Sequence, residues 1–164
     1  MPNIRPLTAS ADRAAVVGLV GRAADYVLLE TGLPPDDKTV EDIFTEAPPG
    51  IGPEGLLTLG LFRGETLEGV AAMAFGWPEA TDAYLGLMLL APNCRGMGLG
   101  PLLLDACMAE GRARGATCLL LAVLDENPRA RRFWHSMGFT HLLTAAPAQI
   151  GVKTHIRHRM GRAL

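Results

Sequence analysis

Apolar positions along the chain change their spacing twice, and each change marks a different kind of element. From residue 10 to about residue 29, Ala14, Val17, Leu19, Val20, Ala24, Val27 and Leu28 recur at near-helical intervals, with Ser10 as the predicted N-cap. Residues 3–7 precede this helix as a short strand. Residues 31–37 and 47–55 are rich in Pro and Gly and predict loops, with a short helix over residues 40–46 between them. At Leu56 the pattern becomes continuous. Residues 56–62 and 67–75 are apolar runs separated by Arg63, Gly64 and Glu65, which predicts a hairpin, and residues 84–91 form a third run.

Helical spacing returns at residues 101–114, where Leu102, Leu103, Ala106, Cys107 and Ala113 repeat and Gly115 supplies a left-handed stop. Residues 117–124 are almost wholly apolar, as a strand covered on both faces requires, so the third run, this helix and this strand predict a βαβ crossover with a parallel strand pair. Asn127 followed by Pro128 opens another helix, with Asn as cap and Pro at its first position, and Gly138 ends it. Residues 139–145 and 153–160 predict the closing strands.

Length and composition narrow the picture. A chain of 164 residues, 49% apolar and 20% charged, has the size and make-up of one folded domain over residues 1–164. No apolar run reaches the roughly 18 residues of a membrane span, and residues 1–10 lack the features of a secretory leader. The expectation is a cytoplasmic protein with no membrane partner. Cys94, Cys107 and Cys118 are odd in number and lack metal-ligand spacing, as do His141, His155 and His158, so free thiols and no metal are expected. The net charge of −2 conceals an asymmetry: residues 1–90 hold five Lys or Arg against thirteen Asp or Glu, and the remainder hold ten against four. That division suits an anionic ligand on the second half and a cationic one on the first.

The segment Arg95-Gly96-Met97-Gly98-Leu99-Gly100-Pro101 carries the clearest chemistry. Alternate glycines let the backbone curl so that successive N–H groups point into one concavity near a helix N-terminus, which favours phosphate. The spacing fits neither a Walker A loop, which needs Gly-Lys then Ser or Thr, nor a G-x-G-x-x-G dinucleotide fingerprint.

With Met88-Leu89-Leu90-Ala91-Pro92 before it, this segment resembles the GNAT N-acetyltransferase pattern of an apolar strand end, Pro, and Arg or Gln-x-x-Gly-x-Gly or Ala. The run 127–139, Asn-Pro-Arg-Ala-Arg-Arg-Phe-Trp-His-Ser-Met-Gly-Phe, resembles the same family's Asn-x-x-Ala-x-x-Phe-Tyr-x-x-x-Gly-Phe signature. The resemblance implies a mixed α/β fold: a central, mostly antiparallel sheet with one splayed parallel pair, flanked by helices. It implies that acetyl-CoA is the cosubstrate, with the backbone of Arg95, Gly96, Met97, Gly98, Leu99, Gly100 and Pro101 around its pyrophosphate. Met88 and Leu90 would offer backbone groups to the pantetheine arm and acetyl carbonyl, Asn127 would line the tunnel, and Trp134 would pack near the thiol.

Two positions depart from the family. Trp134 replaces the tyrosine that commonly protonates the leaving thiolate, and the strand before the loop, Tyr84-Leu85-Gly86-Leu87, lacks a carboxylate. Tyr84 is its one titratable residue and becomes the catalytic candidate. Glu30, Asp36, Asp37, Glu79 and Asp82 are the substrate-side candidates. The activity implied is direct acetyl transfer to a primary amine, a cationic small molecule or peptide by the charge asymmetry, and a homodimer is admitted. The alternatives are an acetyl-CoA-binding module or sensor without transferase activity, and a nucleotide or nucleic-acid binder. The near-neutral charge and the absence of aromatics among the basic residues weigh against nucleic acid.

Overall fold

A computed structural model describes residues 1–164. Seven strands form one sheet: β1 (Pro2–Pro6), β2 (Leu56–Arg63), β3 (Thr66–Phe75), β4 (Asp82–Leu90), β5 (Cys118–Leu124), β6 (Thr140–Thr144) and β9 (Arg157–Ala163). Their spatial order is β1-β2-β3-β4-β5-β9-β6. All neighbours are antiparallel except β4 and β5, which are parallel. The short strands β7 (Ala148–Ile150) and β8 (Lys153–His155) pair separately. Helices α1 (Ala9–Arg22), α2 (Ala24–Thr31) and α3 (Asp37–Thr45) precede the hairpin, α4 (Leu99–Ala113) crosses from β4 to β5, and α5 (Pro128–Ser136) follows β5. This is the mixed α/β architecture that the sequence implies. No helix is long and apolar enough to cross a membrane.

The long first helix of the sequence reading is two helices. Ala23, fully buried, leaves helical geometry at φ −101° and ψ 28° and starts a new axis. The core stripe is Val16, Leu19, Val20, Ala23 and Val27, while Val17 and Leu28 are 48% and 46% exposed. The cap is Thr8 rather than Ser10, because the Thr8 hydroxyl accepts from the Ala11 N–H. The expected strand over residues 153–160 is also two pieces. Only β9 joins the main sheet, and it enters between β5 and β6 rather than at the edge.

Asp12 carries an early structural charge. It is buried beneath Arg5, which reaches it at 2.8 and 3.2 Å, and it accepts the Thr8 N–H at 2.9 Å. The Arg5 hydrogen bond is the main cause holding its carboxyl below the usual range, helped by Thr8. A carboxylate with a folded pKa below its unfolded value stabilises the fold above the unfolded pKa and loses that contribution as pH falls. Urea titrations from pH 7 to 3 should therefore show an acid-side loss of stability that Asp12→Asn largely removes.

Candidate active site

The site begins where two strands stop pairing. The β4–β5 ladder runs from Asp82↔Cys118 to Leu85↔Leu121 and goes no further. Just past it, β3 pairs Met73 with Leu85 but Ala72 with Leu87, so Gly86 is the extra residue of a bulge in β4. A bulge bends and twists its strand, which turns the second half of β4 away from β5. Gly86 has room for a Cβ, 3.7 Å from the Ala72 carbonyl. On the other side of the fork, the otherwise buried β5 exposes Ala122.

A cleft of about 540 Å³ fills the fork. Residues 85–90 form one wall and residues 121–124 the other. Asp25, Tyr26 and Leu29 of α2 close it from one face of the sheet, and Ala130, Phe133, Trp134 and Met137 from the other. The glycine turn and Asn127 stand at its rim.

Within that turn the glycines do different work. Gly96 and Gly98 adopt φ of 76° and 80°, the left-handed region that side chains disfavour, and a Cβ on either would meet nothing within 4 Å. The backbone N–H groups of Gly96, Met97 and Gly98 donate to no acceptor within the chain. Gly100 instead permits packing, since a Cβ there would lie 3.2 Å from the Phe133 ring. Helix α4 starts at Leu99, two residues earlier than its apolar spacing predicts, so its N-terminus lies inside the turn. Pro101 falls in the first helical turn, where a backbone N–H has no intrahelical partner, and it removes nothing the helix needs. Curled N–H groups, a helix N-terminus and open space beside them fit a pyrophosphate.

Arg95 ties this turn to α2. Its guanidinium contacts both carboxylate oxygens of Asp25, at 2.5 and 3.1 Å, and its Nε donates to the Leu90 carbonyl at 3.2 Å. Asp25 is held below the usual carboxylate range mainly by that hydrogen bond. Arg95 is thus a strap whose charge is matched within the protein, while its backbone belongs to the turn. The cation that lines the cleft without an ion pair is Arg129, on the first turn of α5.

Asn127 holds two positions at once. Its Oδ1 accepts the Ala130 N–H at 3.2 Å as the cap of α5, and the residue also lines the cleft. Asn127→Ala should cost about 1 kcal/mol in urea unfolding through the lost cap. Asn127→Asp should keep that stability yet weaken acetyl-CoA binding in a thermal-shift titration, because the amide donors are replaced by an acceptor. Trp134 is 8% exposed and packs edge-on against Phe133 and Phe139, with centroids 4.8 and 5.3 Å apart. It is core and cleft wall together. Met88 and Leu90 are in the β4 wall.

The substrate-side candidates separate by position. Asp36 is the N-cap of α3, its carboxylate accepting from Thr39, and Asp37 is exposed at the first position of that helix. The Asp82 carboxylate accepts the Glu79 N–H at 3.2 Å and holds the turn before β4. None of these four lines the cleft. Glu30 is different. Tyr26, which lines the cleft, donates its hydroxyl to the Glu30 carboxylate at 3.0 Å. Burial raises the Glu30 carboxyl above its usual range, more than the Tyr26 hydrogen bond and the charges of His155 and Arg157 lower it. Burial also raises the Tyr26 phenol. Beneath them, a ring nitrogen of His155 lies 2.7 Å from the Glu30 carbonyl and can only be donating to it.

Tyr84 lies at the base of the fork, just before the residues that line the cleft. Its ring meets Trp77 edge-on at 4.9 Å, and burial is the main cause raising its phenol pKa. A raised phenol does not ionise near neutral pH, so Tyr84 is poorly suited to be the base. Asp25, Tyr26 and Arg129 are the ionisable cleft residues absent from the candidates named above. No motif marks them, because each depends on how a helix is laid across the fork.

The sequence and this geometry have relatives among known proteins. A profile of the acetyltransferase (GNAT) family matches residues 26–139, and the chain belongs to that family. It is 35% identical over 83 residues to a mycothiol acetyltransferase of Beutenbergia cavernae, a match that takes in 51% of this chain and 27% of that protein. Among solved structures, an acetyltransferase from Thermus thermophilus superposes with a TM-score of 0.78 at 24% identity, covering 100% of this chain and 97% of that one. The ribosomal-protein-S18-alanine N-acetyltransferase of Escherichia coli gives 0.73 at 21% identity, covering 99% and 94%. Those two likenesses concern the fold.

Proposed function

We propose that the protein transfers the acetyl group of acetyl-CoA directly to a primary amine of a small molecule or peptide. The observation that carries this reading is one continuous cleft that leads from unpaired backbone N–H groups at the glycine turn, along the forked β4 and β5, to Tyr26, whose hydroxyl donates to Glu30. Phosphates belong at the first end, and the open strand edges accept the amide-bearing arm. The amine belongs at the far end.

An ammonium must lose a proton before its nitrogen can attack the thioester carbon. With a pKa near 10.4, that costs about 4.6 kcal/mol at pH 7, whereas a thiolate leaves for about 2. Glu30 is the group placed to take the proton, through Tyr26: the phenol oxygen accepts it while passing its own proton to the carboxylate. The new C–N bond forms as the C–S bond breaks; the acylated nitrogen gives its second proton to solvent water, and the departing CoA thiolate takes one from solvent. A covalent acetyl-enzyme finds no support among the thiols. Cys94, Cys107 and Cys118 do not line the cleft, and burial pushes Cys107 up to about 12. No group of three or more His, Cys, Asp or Glu is arranged to hold a metal ion.

The charge of the acceptor has to be read at the site, because much of the acidic first half is engaged within the protein. Asp12, Asp25, Glu41, Asp42 and Glu68 stand in ion pairs, and Asp36 and Asp82 hold turns. Thiol release from acetyl-CoA over an amine panel, beside a thermal-shift titration with acetyl-CoA, tests the reading. Turnover of at least one primary amine is expected. Tight acetyl-CoA binding with no turnover of any amine would favour a binding module instead.

A further inference from the structure

The face of the sheet under α2 carries two arginines to which the chemistry above assigns nothing. In the β5–β9 register Ala122 lies opposite Arg159, and Leu124 lies opposite Arg157. Residues directly opposite across an antiparallel pair share a face, with Cβ atoms about 4.5–5.5 Å apart. Strand alternation places Tyr84 and Leu120, which are in register, on that face too. Both guanidinium-bearing residues therefore adjoin Ala122, which lines the cleft.

Neither arginine has an acceptor. No carboxylate lies within ion-pair distance of Arg157 or Arg159. Arg157 Nε is buried and without any hydrogen-bond partner. Arg159 lies 5.0 Å above the Trp77 ring, which in turn meets Tyr84. A buried donor left unmade is costly, and native proteins rarely keep one without a reason. Both guanidinium groups face the same chemistry, since their charges stabilise ionised Tyr84, and the Arg157 charge also reaches Glu30. Next to Tyr26 and Ala122, which line the cleft, thus stand a carboxylate and two cations whose planar forks match a carboxylate.

We propose that the acceptor is an amine that also carries a carboxylate, of the amino-acid class, with the carboxylate on Arg157 and Arg159 and the ammonium toward Tyr26 and Glu30. This rests on the acetyl-transfer reading, and it replaces the cationic acceptor suggested by the charge asymmetry with a zwitterion. Trp77 and Tyr84 then flank the acceptor with aromatic surface.

Matched acceptors test it: L-lysine against cadaverine, L-arginine against agmatine, and L-phenylalanine against phenethylamine and L-phenylalaninamide. For the preferred side chain, kcat/KM should be at least tenfold higher with the carboxylate than without. Arg157→Ala should raise KM for the acid at least tenfold more than it raises KM for the decarboxylated amine, and Arg157→Lys should restore part of the difference. If the amine or amide is turned over as well as the acid, or if Arg157→Ala slows both equally, the proposal falls while acetyl transfer stands. If nothing in the panel is turned over, the same compounds are titrated by calorimetry into protein saturated with free CoA. Acid-selective binding that Arg157→Ala removes would sustain the proposal, and its absence would overturn it.

Discussion

Gly98→Asp is expected to fold and to lose all stabilisation by acetyl-CoA. The substitution puts a side chain into a left-handed backbone with φ 80°, a strain on the order of 1 kcal/mol for Asp, which tolerates that region better than most residues. No atom lies within 4 Å of the new Cβ, and a carboxylate at the N-terminus of α4 regains some tenths of a kcal/mol from the helix dipole. The unliganded variant should therefore melt near the wild type. Its carboxylate nevertheless fills the concavity made by the N–H groups of residues 96–98 and repels any phosphate there. Wild-type protein at a ligand concentration one hundred times Kd gains about 2.7 kcal/mol, whereas the variant should gain nothing measurable at the same concentration. Gly98→Ala, which strains the backbone without adding charge, should fall between the two. Retained binding by Gly98→Asp would move the phosphate site out of this turn altogether.

That experiment probes the part of the site most legible in the sequence, and the reason is locality. A glycine turn, an Asn-Pro helix start and a βαβ crossover are each written within a few consecutive residues, so the Asn127 cap and the parallel β4–β5 pair follow from composition and spacing. The turn's internal division of labour is less local. Gly96 and Gly98 serve conformation, whereas Gly100 serves packing against Phe133, a residue 33 positions away.

Features that depend on distant chain could not be read in the same way. The stripe Val16, Leu19, Val20, Ala23, Val27 is continuous at helical spacing, so nothing in it announces that the helix breaks at Ala23. The break nevertheless decides which residues of α2 reach the cleft. Gly86 is visible as a glycine, but its bulge exists only relative to the register of β3. Arg157 and Arg159 fall in a predicted strand, yet their place beside Ala122 follows from β9 entering between β5 and β6. For the same reason Glu30, Asp36, Asp37, Glu79 and Asp82 are equivalent in the sequence, and only the path of α2 sets Glu30 apart through Tyr26.

Replacing Glu30 by Gln should lower kcat by about 10² to 10⁴ without lowering the melting temperature. The amide oxygen can still accept the Tyr26 hydroxyl, so packing and the hydrogen bond survive while the proton sink is lost. The pH profile separates this from a merely structural role. Burial raises the Glu30 carboxyl, so wild-type kcat/KM should climb with pH through an apparent pKa above the ordinary carboxylate range, and the Glu30→Gln variant should lack that limb. Stability should move in the opposite sense. A carboxyl whose folded pKa exceeds its unfolded value contributes fully below the unfolded pKa and loses that contribution as pH rises through the folded one. At neutral pH the wild type therefore holds a partly desolvated charge that Glu30→Gln relieves, and the variant should be as stable or slightly more so. A slower, equally stable enzyme with a flattened acid limb is the signature of a base placed for chemistry at the expense of the fold. Unchanged kcat across the pH range would instead leave deprotonation of the amine to bulk water and confine Glu30 to anchoring Tyr26.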